Sequence, residues 1–339
     1  MNNRVHLINL TRLTTGCCVM HASVSGSRRG RTLLLTGFIL IALLVMLPAC
    51  VAGCFRREET LLVDGERRYY RLHVPANITE RAPVPLLFAL HQFSDTDRGM
   101  ERLTGFNELA DAEGFIVVYP QGRLRVWNTG GERGEADMRF LESVLDRLAK
   151  QYPVDLNRVY ATGASAGGMM AQYWARRSGR IAAIAPVMGS MGRGDAQADP
   201  PVRDSPLPVL IIHGDRDPVV PYDGGETYAG SGRTARFLSA PENAAYWAAW
   251  NGCTEQPASE RLPDPDPRDE FGVSVTRWSC PDAAPVLLYT VEGGGHTWPG
   301  RKNWYPAFIV GPVAPEPDAS RLIWEFLSQF RLTDSAGNT

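Results

Sequence analysis

The chain has 339 residues, 44% of them hydrophobic and 21% charged, with a formal net charge of −2. That length and apolar content support a full buried core. An acidic balance with no basic cluster beyond residue 53 lacks the electrostatic footprint of a nucleic-acid binder, which argues against that partner class.

The first element in chain order is a leader. Arg28, Arg29 and Arg31 precede the charge-free run "TLLLTGFILIALLVMLPA", which closes in the small residues and cysteines of "LPACVAGCF". A basic segment, an apolar core and a small-residue cleavage site predict an export signal over residues 1–53. "VAGC" resembles the lipobox of bacterial lipoproteins and makes Cys54 the lipidated first residue of the mature chain, with Cys50 in "LPAC" as second candidate. An uncleaved membrane anchor is the alternative, because the run approaches spanning length. The leader carries Arg4, Arg12, Arg28, Arg29 and Arg31 and no acid, so its removal leaves a distinctly acidic mature chain. Cys17, Cys18, Cys50 and Cys54 belong to the leader or its end, which leaves Cys253 and Cys280 in the body. An exported chain pairs two such cysteines most simply; two buried free thiols are the alternative.

Residues 54–339 show no internal repeat and no second composition regime, so one domain is expected. "TLLVDGERRYYRLHVP" predicts a β-hairpin with a type I′ turn at Asp64-Gly65. "PLLFALH" and "GFIVVYP" are short continuous apolar runs, the pattern of strands buried on both faces. In "MRFLESVLDRLAKQY", Leu141, Val144, Leu145 and Leu148 recur at helical spacing. "RVYATG" predicts the next strand and "GGMMAQYWARR" the next helix; "LPVLIIHG" and "PVLLYTVEG" complete the buried strands. Between those two, "SAPENAAYWAAWNG" opens with Ser239 and Glu242 in capping-box spacing, and "ASRLIWEFLSQF" is a terminal amphipathic helix. The segments "GRGDAQADPPVRDSP" and "RLPDPDPRDEFG" read as surface insertions. Strands alternating with helices predict an α/β fold: a mostly parallel sheet with helices on both faces and an antiparallel N-terminal hairpin at one edge.

Within this frame "ATGASAGGMM" places Ser165 between Gly163 and Gly167 at a strand-to-helix junction. A G-x-S-x-G turn there strains the serine backbone, projects its hydroxyl above the sheet, and aims the Ala166 N–H at an incoming oxyanion. A tight turn before a closely packed helix is the plain alternative. A serine nucleophile needs a base and an acid to orient it. "HGDRDPVVPY" delivers Asp215 and Asp217 at a strand's carboxyl end, and "VEGGGHTWPG" sets His296 in a glycine-rich loop after the last buried strand. His213 reads as structural, and Asp215 as the acceptor for the turn that follows it. The sequence holds no HExxH, no paired CxxC and no glycine-rich phosphate loop, so neither a metal nor a cofactor is implied.

From Glu59 to Phe330 the motifs "LFALHQFSDT", "VVYPQG…VWN", "YPVDLNRVYATGASAGGMM", "HGDRDPVVPY", "GGGHTWPG" and "ASRLIWEFL" fall in one order. Together they resemble the poly(3-hydroxybutyrate) depolymerase-like and feruloyl/acetylxylan esterase-like α/β-hydrolases (carbohydrate esterase family 1). The resemblance implies a Ser165–His296–Asp217 triad, selecting Asp217 over Asp215. It implies a second oxyanion-hole amide in the loop after the first buried strand, where the family's usual His-Gly is replaced by His91-Gln92-Phe93, so the donor is Gln92 or Phe93. It matches Trp127 and Trp298 to indoles lining the substrate pocket, with buried packing as the alternative, and it pairs Cys253 with Cys280. The expected activity is that of an exported serine esterase acting on soluble esters such as feruloylated or acetylated saccharides or hydroxyalkanoate oligomers, touching the membrane through its lipid only. A catalytically silent surface lipoprotein that binds a glycan or partner is the rival expectation.

Overall fold

The computed structural model describes residues 58–79, 82–197, 205–229, 233–253, 256–281 and 284–332. The leader, Cys50 and Cys54 lie outside these residues. No helix among the described residues is long and apolar enough to cross a membrane.

The chain opens with β1 (Glu58–Val63) and β2 (Glu66–His73), paired antiparallel around Asp64-Gly65, where both φ angles are positive as a type I′ turn requires. Then come β3 (Val84–Leu90), helices α1 (Asp97–Thr104) and α2 (Phe106–Glu113), β4 (Ile116–Pro120), α3 (Gly131–Gln151) and β5 (Val154–Ala164). The second half runs α4 (Ala166–Arg177), β6 (Ala183–Val187), α5 (Arg193–Gln197), β7 (Val209–Gly214), β8 (Gly225–Ala229), β9 (Arg233–Phe237) and α6 (Ala240–Trp250). It ends with β10 (Ala258–Arg261), β11 (Gly272–Trp278), β12 (Val286–Glu292), α7 (Ala307–Val310) and α8 (Ala319–Leu327).

Ten strands form one sheet in the order β1-β2-β4-β3-β5-β6-β7-β12-β11-β10. From β4 to β12 neighbouring strands run parallel; β1, β2, β10 and β11 pair antiparallel at the two edges. The alternation along β3 shows why these runs are apolar throughout. Leu86, Phe88 and Leu90 enter one core and Leu87 and Ala89 the other, because successive strand residues face opposite ways. Helices α3, α4 and α6 cover the first face, and α1, α2 and α8 the second. The Ser239–Glu242 capping box opens α6.

The sheet extends past the expected one on its far side. "RLPDPDPRDEFG" is no free insertion: its first residue ends β10, and the segment turns the chain into β11. Helices α1 and α2 and the separate β8–β9 pair also lie where no element was expected. Cys253 and Cys280 are joined by a disulfide that ties the end of α6 to the end of β11.

Candidate active site

The site grows from one contact between backbones. A Cβ on Gly163 would lie 2.4 Å from the Gly167 carbonyl carbon, and one on Gly167 would lie 2.1 Å from Leu90 O. Any side chain at either position therefore pushes α4 off β5 and β3. Between them Ser165 is held at φ 51°, ψ −117°, a left-handed conformation that costs a non-glycine residue on the order of 1–3 kcal/mol. The Ser165 N–H donates to Val187 O at 2.9 Å and its carbonyl accepts from Met169 N–H at 3.0 Å, so the turn is fixed to β6 on one side and to α4 on the other. Ala166 is the first residue of α4, where backbone N–H groups lie beyond the reach of the helix's own carbonyls.

The same carboxyl edge carries the acid and the imidazole. Backbone bonds cross it strand by strand: Met188 N–H to Ile212 O at 2.8 Å, Asp215 N–H to Val291 O at 3.1 Å, and Arg216 N–H to Gly294 O at 2.9 Å. Just past β12, the His296 N–H donates to Val310 O at 2.5 Å and its Nδ1 lies 2.7 Å from Asp217 Oδ2. A carboxylate only accepts, so Nδ1 carries the proton and Nε2 is left as the basic nitrogen. Ser165, Asp217 and His296 are all buried, with 5–7% of each exposed.

Asp217 is held from several directions. Its Oδ1 accepts from Val219 and Val220 N–H, both at 2.8 Å, and its Oδ2 faces His296 and, at 3.3 Å, His213 Nε2. Burial pushes this carboxyl up, but the hydrogen bonds and charge interactions from His213 and His296 outweigh it and hold the group well below the usual carboxylate range. Asp215 does something other than expected. The turn that follows bonds to Asp217, while Asp215 Oδ1 reaches across to accept from Gly293 N–H at 2.7 Å, at the root of the loop that carries His296.

The loop after β3 is oriented by a buried histidine. His91 Nε2 accepts from Gly122 N–H at 2.9 Å, so its Nδ1 bears the proton and donates to Gln92 O at 2.7 Å. Burial holds the His91 imidazole below its ordinary value, in keeping with that neutral tautomer. Trp127 Nε1 donates to His91 O at 3.0 Å. In trans peptides N–H and C=O point oppositely, so the Gln92 N–H turns away from Trp127 and the Phe93 N–H away from the His91 ring.

Neither tryptophan matched by resemblance lines an open pocket. Trp298 is 1% exposed, packs edge-on against Phe106, and spends its N–H on Ser320 Oγ at 3.0 Å. Trp127 is 5% exposed and braces the His91 loop. The accessible aromatics come from a segment that sequence reasoning missed. Trp304, Tyr305, Phe308 and Ile309 are exposed, as is Phe93. Tyr305 is hydrogen-bonded to the Gln92 side chain, and Val310 O holds the His296 N–H. Asn303–Val310 therefore spans from the Gln92 loop to the His296 loop. The signal was the apolar, aromatic "WYPAFIV" soon after "GGGHTWPG". Among the described residues no cluster of histidine, cysteine or carboxylate side chains could hold a metal ion.

No family model matches the chain. A protein of Nocardia uniformis subsp. tsuyamanensis named "Putative esterase NocK" is 34% identical to it over 294 residues, 82% of this chain and 84% of that one. "Probable feruloyl esterase C" of Aspergillus terreus is 30% identical over 307 residues, 87% of this chain and 97% of that one. Among solved structures, the acetyl xylan esterase from Aspergillus awamori shares the fold with a TM-score of 0.50 at 18% identity, covering 71% of this chain and 94% of that one. The mostly parallel sheet covered on both faces is the fold of that structure, and by its relatives the chain belongs to the feruloyl esterase-like family of α/β-hydrolases.

Proposed function

We propose that this protein is an exported serine carboxylic-ester hydrolase that works through Ser165, His296 and Asp217 by way of an acyl-enzyme. The observation that carries the reading is the His296 Nδ1–Asp217 Oδ2 contact of 2.7 Å on the sheet edge that also bears the strained Ser165. His296 Nε2 takes the Ser165 proton as Oγ forms a bond to the ester carbonyl carbon. The carbonyl oxygen gathers the charge and receives N–H donors from Ala166 and from Gln92 or Phe93, two groups presented without reorganisation. As the tetrahedral species collapses, imidazolium gives its proton to the departing alkoxide. Water, deprotonated by the same Nε2, then cleaves the acyl-serine to acid and free enzyme.

The substrates fitting this reading are soluble esters: feruloylated or acetylated saccharides, or hydroxyalkanoate oligomers. The exposed aromatics of Asn303–Val310, on the segment that links the Gln92 and His296 loops, are the groups this reading assigns to a bulky acyl or alcohol group beyond the ester. Residues 54–339 form one catalytic domain in this reading, anchored by a lipid on Cys54 after removal of residues 1–53.

Purified protein tested on short-chain nitrophenyl esters, methyl ferulate, acetylated xylan and hydroxybutyrate oligomers, beside Ser165→Ala, tests the chemistry. Hydrolysis abolished by Ser165→Ala and fluorophosphonate labelling at Ser165 are expected. Undiminished turnover in the Ser165→Ala protein would sink the reading. Mass spectrometry of the mature N-terminus tests the anchor, with a lipid-modified Cys54 expected.

A further inference from the structure

His213, at the penultimate position of β7, has a wholly buried side chain with an unusual division of partners. Its Nε2 lies 2.8 Å from Val220 O and 3.3 Å from Asp217 Oδ2. Its Nδ1 is buried with no hydrogen-bond partner among the described residues. Both groups facing Nε2 are acceptors, so the proton sits there, and Nδ1 is the nitrogen left unpaired. Burying an unpaired ring nitrogen is unfavourable, whereas an apolar residue of similar volume would leave none. What the histidine supplies in return is one N–H aimed between a carbonyl and a carboxylate.

We infer that His213 is a positioning residue for the catalytic acid, holding both oxygens of Asp217 through a closed ring of hydrogen bonds. The inference rests on the Ser165–His296–Asp217 reading. At Oδ2 His213 acts directly, opposite the His296 contact. At Oδ1 it acts through the turn: its N–H holds Val220 O, and the Val220 N–H, with that of Val219, donates to Oδ1. Rotation of the carboxylate away from His296 would break bonds at both oxygens. The ring plane of His213 is itself fixed. Tyr222 packs on it edge-on, centroids 5.9 Å apart at 82°, and the Tyr222 hydroxyl bonds to Thr290 Oγ1 at 2.7 Å, on the β12 residue paired with His213.

The test compares His213→Phe, which keeps bulk without a donor, His213→Asn, whose amide is too short to reach Asp217, and His213→Gln, whose amide nitrogen reaches the Nε2 position. Each is assayed on 4-nitrophenyl acetate alone and combined with Asp217→Asn, with thermal melts to select folded protein. Loss of a hydrogen bond to a charged group predicts a fall in kcat of about 10- to 100-fold for Phe and Asn, with KM little changed. Gln should recover most of the loss, and adding Phe or Asn to Asp217→Asn should cost nothing further. If Phe fails to fold, the Asn–Gln pair gives the same comparison. Undiminished kcat in folded Phe or Asn variants, Gln no better than Asn, or an equal loss in the Asp217→Asn background would overturn the inference. Should Ser165→Ala and Asp217→Asn themselves leave hydrolysis intact, the triad reading fails instead, so the two failures are distinct.

Discussion

Asp215 and Asp217 stand two residues apart just beyond β7 and hold the same loop at two points: Asp215 accepts from Gly293 N–H at its root, and Asp217 from His296 Nδ1–H farther along. In Asp217→Asn the amide oxygen stays with the Val219 and Val220 N–H donors, so the NH2 turns toward the imidazole and favours the wrong tautomer. Turnover should fall on the order of 10⁴-fold, as in serine-protease triads, with the fold intact. Asp215→Asn keeps an oxygen for Gly293 and loses only the charge, so it should cost less than about tenfold. The two variants measured side by side on one activated ester settle the assignment; equal losses would refute it.

A pH prediction follows from His91. Burial holds its folded pKa below the ordinary value of about 6.5, so on acidification the unfolded chain takes up this proton first. The contribution to stability is full above about pH 6.5 and is lost as pH falls toward the folded value. His91→Gln offers Gly122 N–H a non-titrating acceptor. Denaturant melts from pH 7.5 to 5 should show a shallower loss of stability in the Gln variant than in the wild type, and parallel curves would refute the linkage.

The disulfide closes a loop of 27 residue steps between Cys253 and Cys280. Chain-entropy accounting assigns about 3.5 kcal/mol to a closure of that length. Cys253→Ala with Cys280→Ala should lower unfolding free energy by up to that amount while leaving kcat unchanged, because neither sulfur approaches the triad loops. Urea titration against oxidised wild type is the measurement, and equal midpoints would contradict it.

Trp304 and Tyr305 should govern substrate choice rather than chemistry. Trp304→Ala with Tyr305→Ala is expected to lower kcat/KM about tenfold on a feruloylated or acetylated oligosaccharide, the size of one lost ring contact. On 4-nitrophenyl acetate, too small to reach them, the variant should stay within about twofold of wild type. Equal effects on both substrates would assign these residues a structural role.

Five of the six parallel strands were legible because each ends in a short apolar run buried on both faces, and the Asp64-Gly65 turn because its dihedral demand leaves few alternatives; β6 was not, because its alanine-rich Ala183–Val187 carries little strand signal. Strand β10 was hidden because it is exposed throughout, and β11 because its Val273–Thr276 alternation, a strand pattern in itself, is short and follows directly on a proline-rich segment that reads as an insertion. At the site, residue types and order pointed to Ser165, His296 and an aspartate. The division of labour between Asp215 and Asp217 depends on which point of the loop after β12 each carboxylate meets across the sheet, and no local pattern records that. Trp298 stayed open between pocket and packing for the same reason: an indole enclosed by Phe106 and Ser320 looks, in one dimension, like any tryptophan two residues from a loop histidine.

The contact of Gly163 and Gly167 has a consequence for how this scaffold can change. The height of Ser165 over the sheet is set where main chain meets main chain, with no side chain available to trim or enlarge. Mutational drift has no small step to take there. The exposed side chains are another matter: Phe93, Trp304, Phe308 and Ile309 project into solvent, where replacement leaves the elbow untouched. A library that varies those four positions is expected to leave the Ser165 turn in place while it samples new substrates of the proposed esterase, whereas diversity spent on residues 163–168 is expected to yield chiefly misfolded chains.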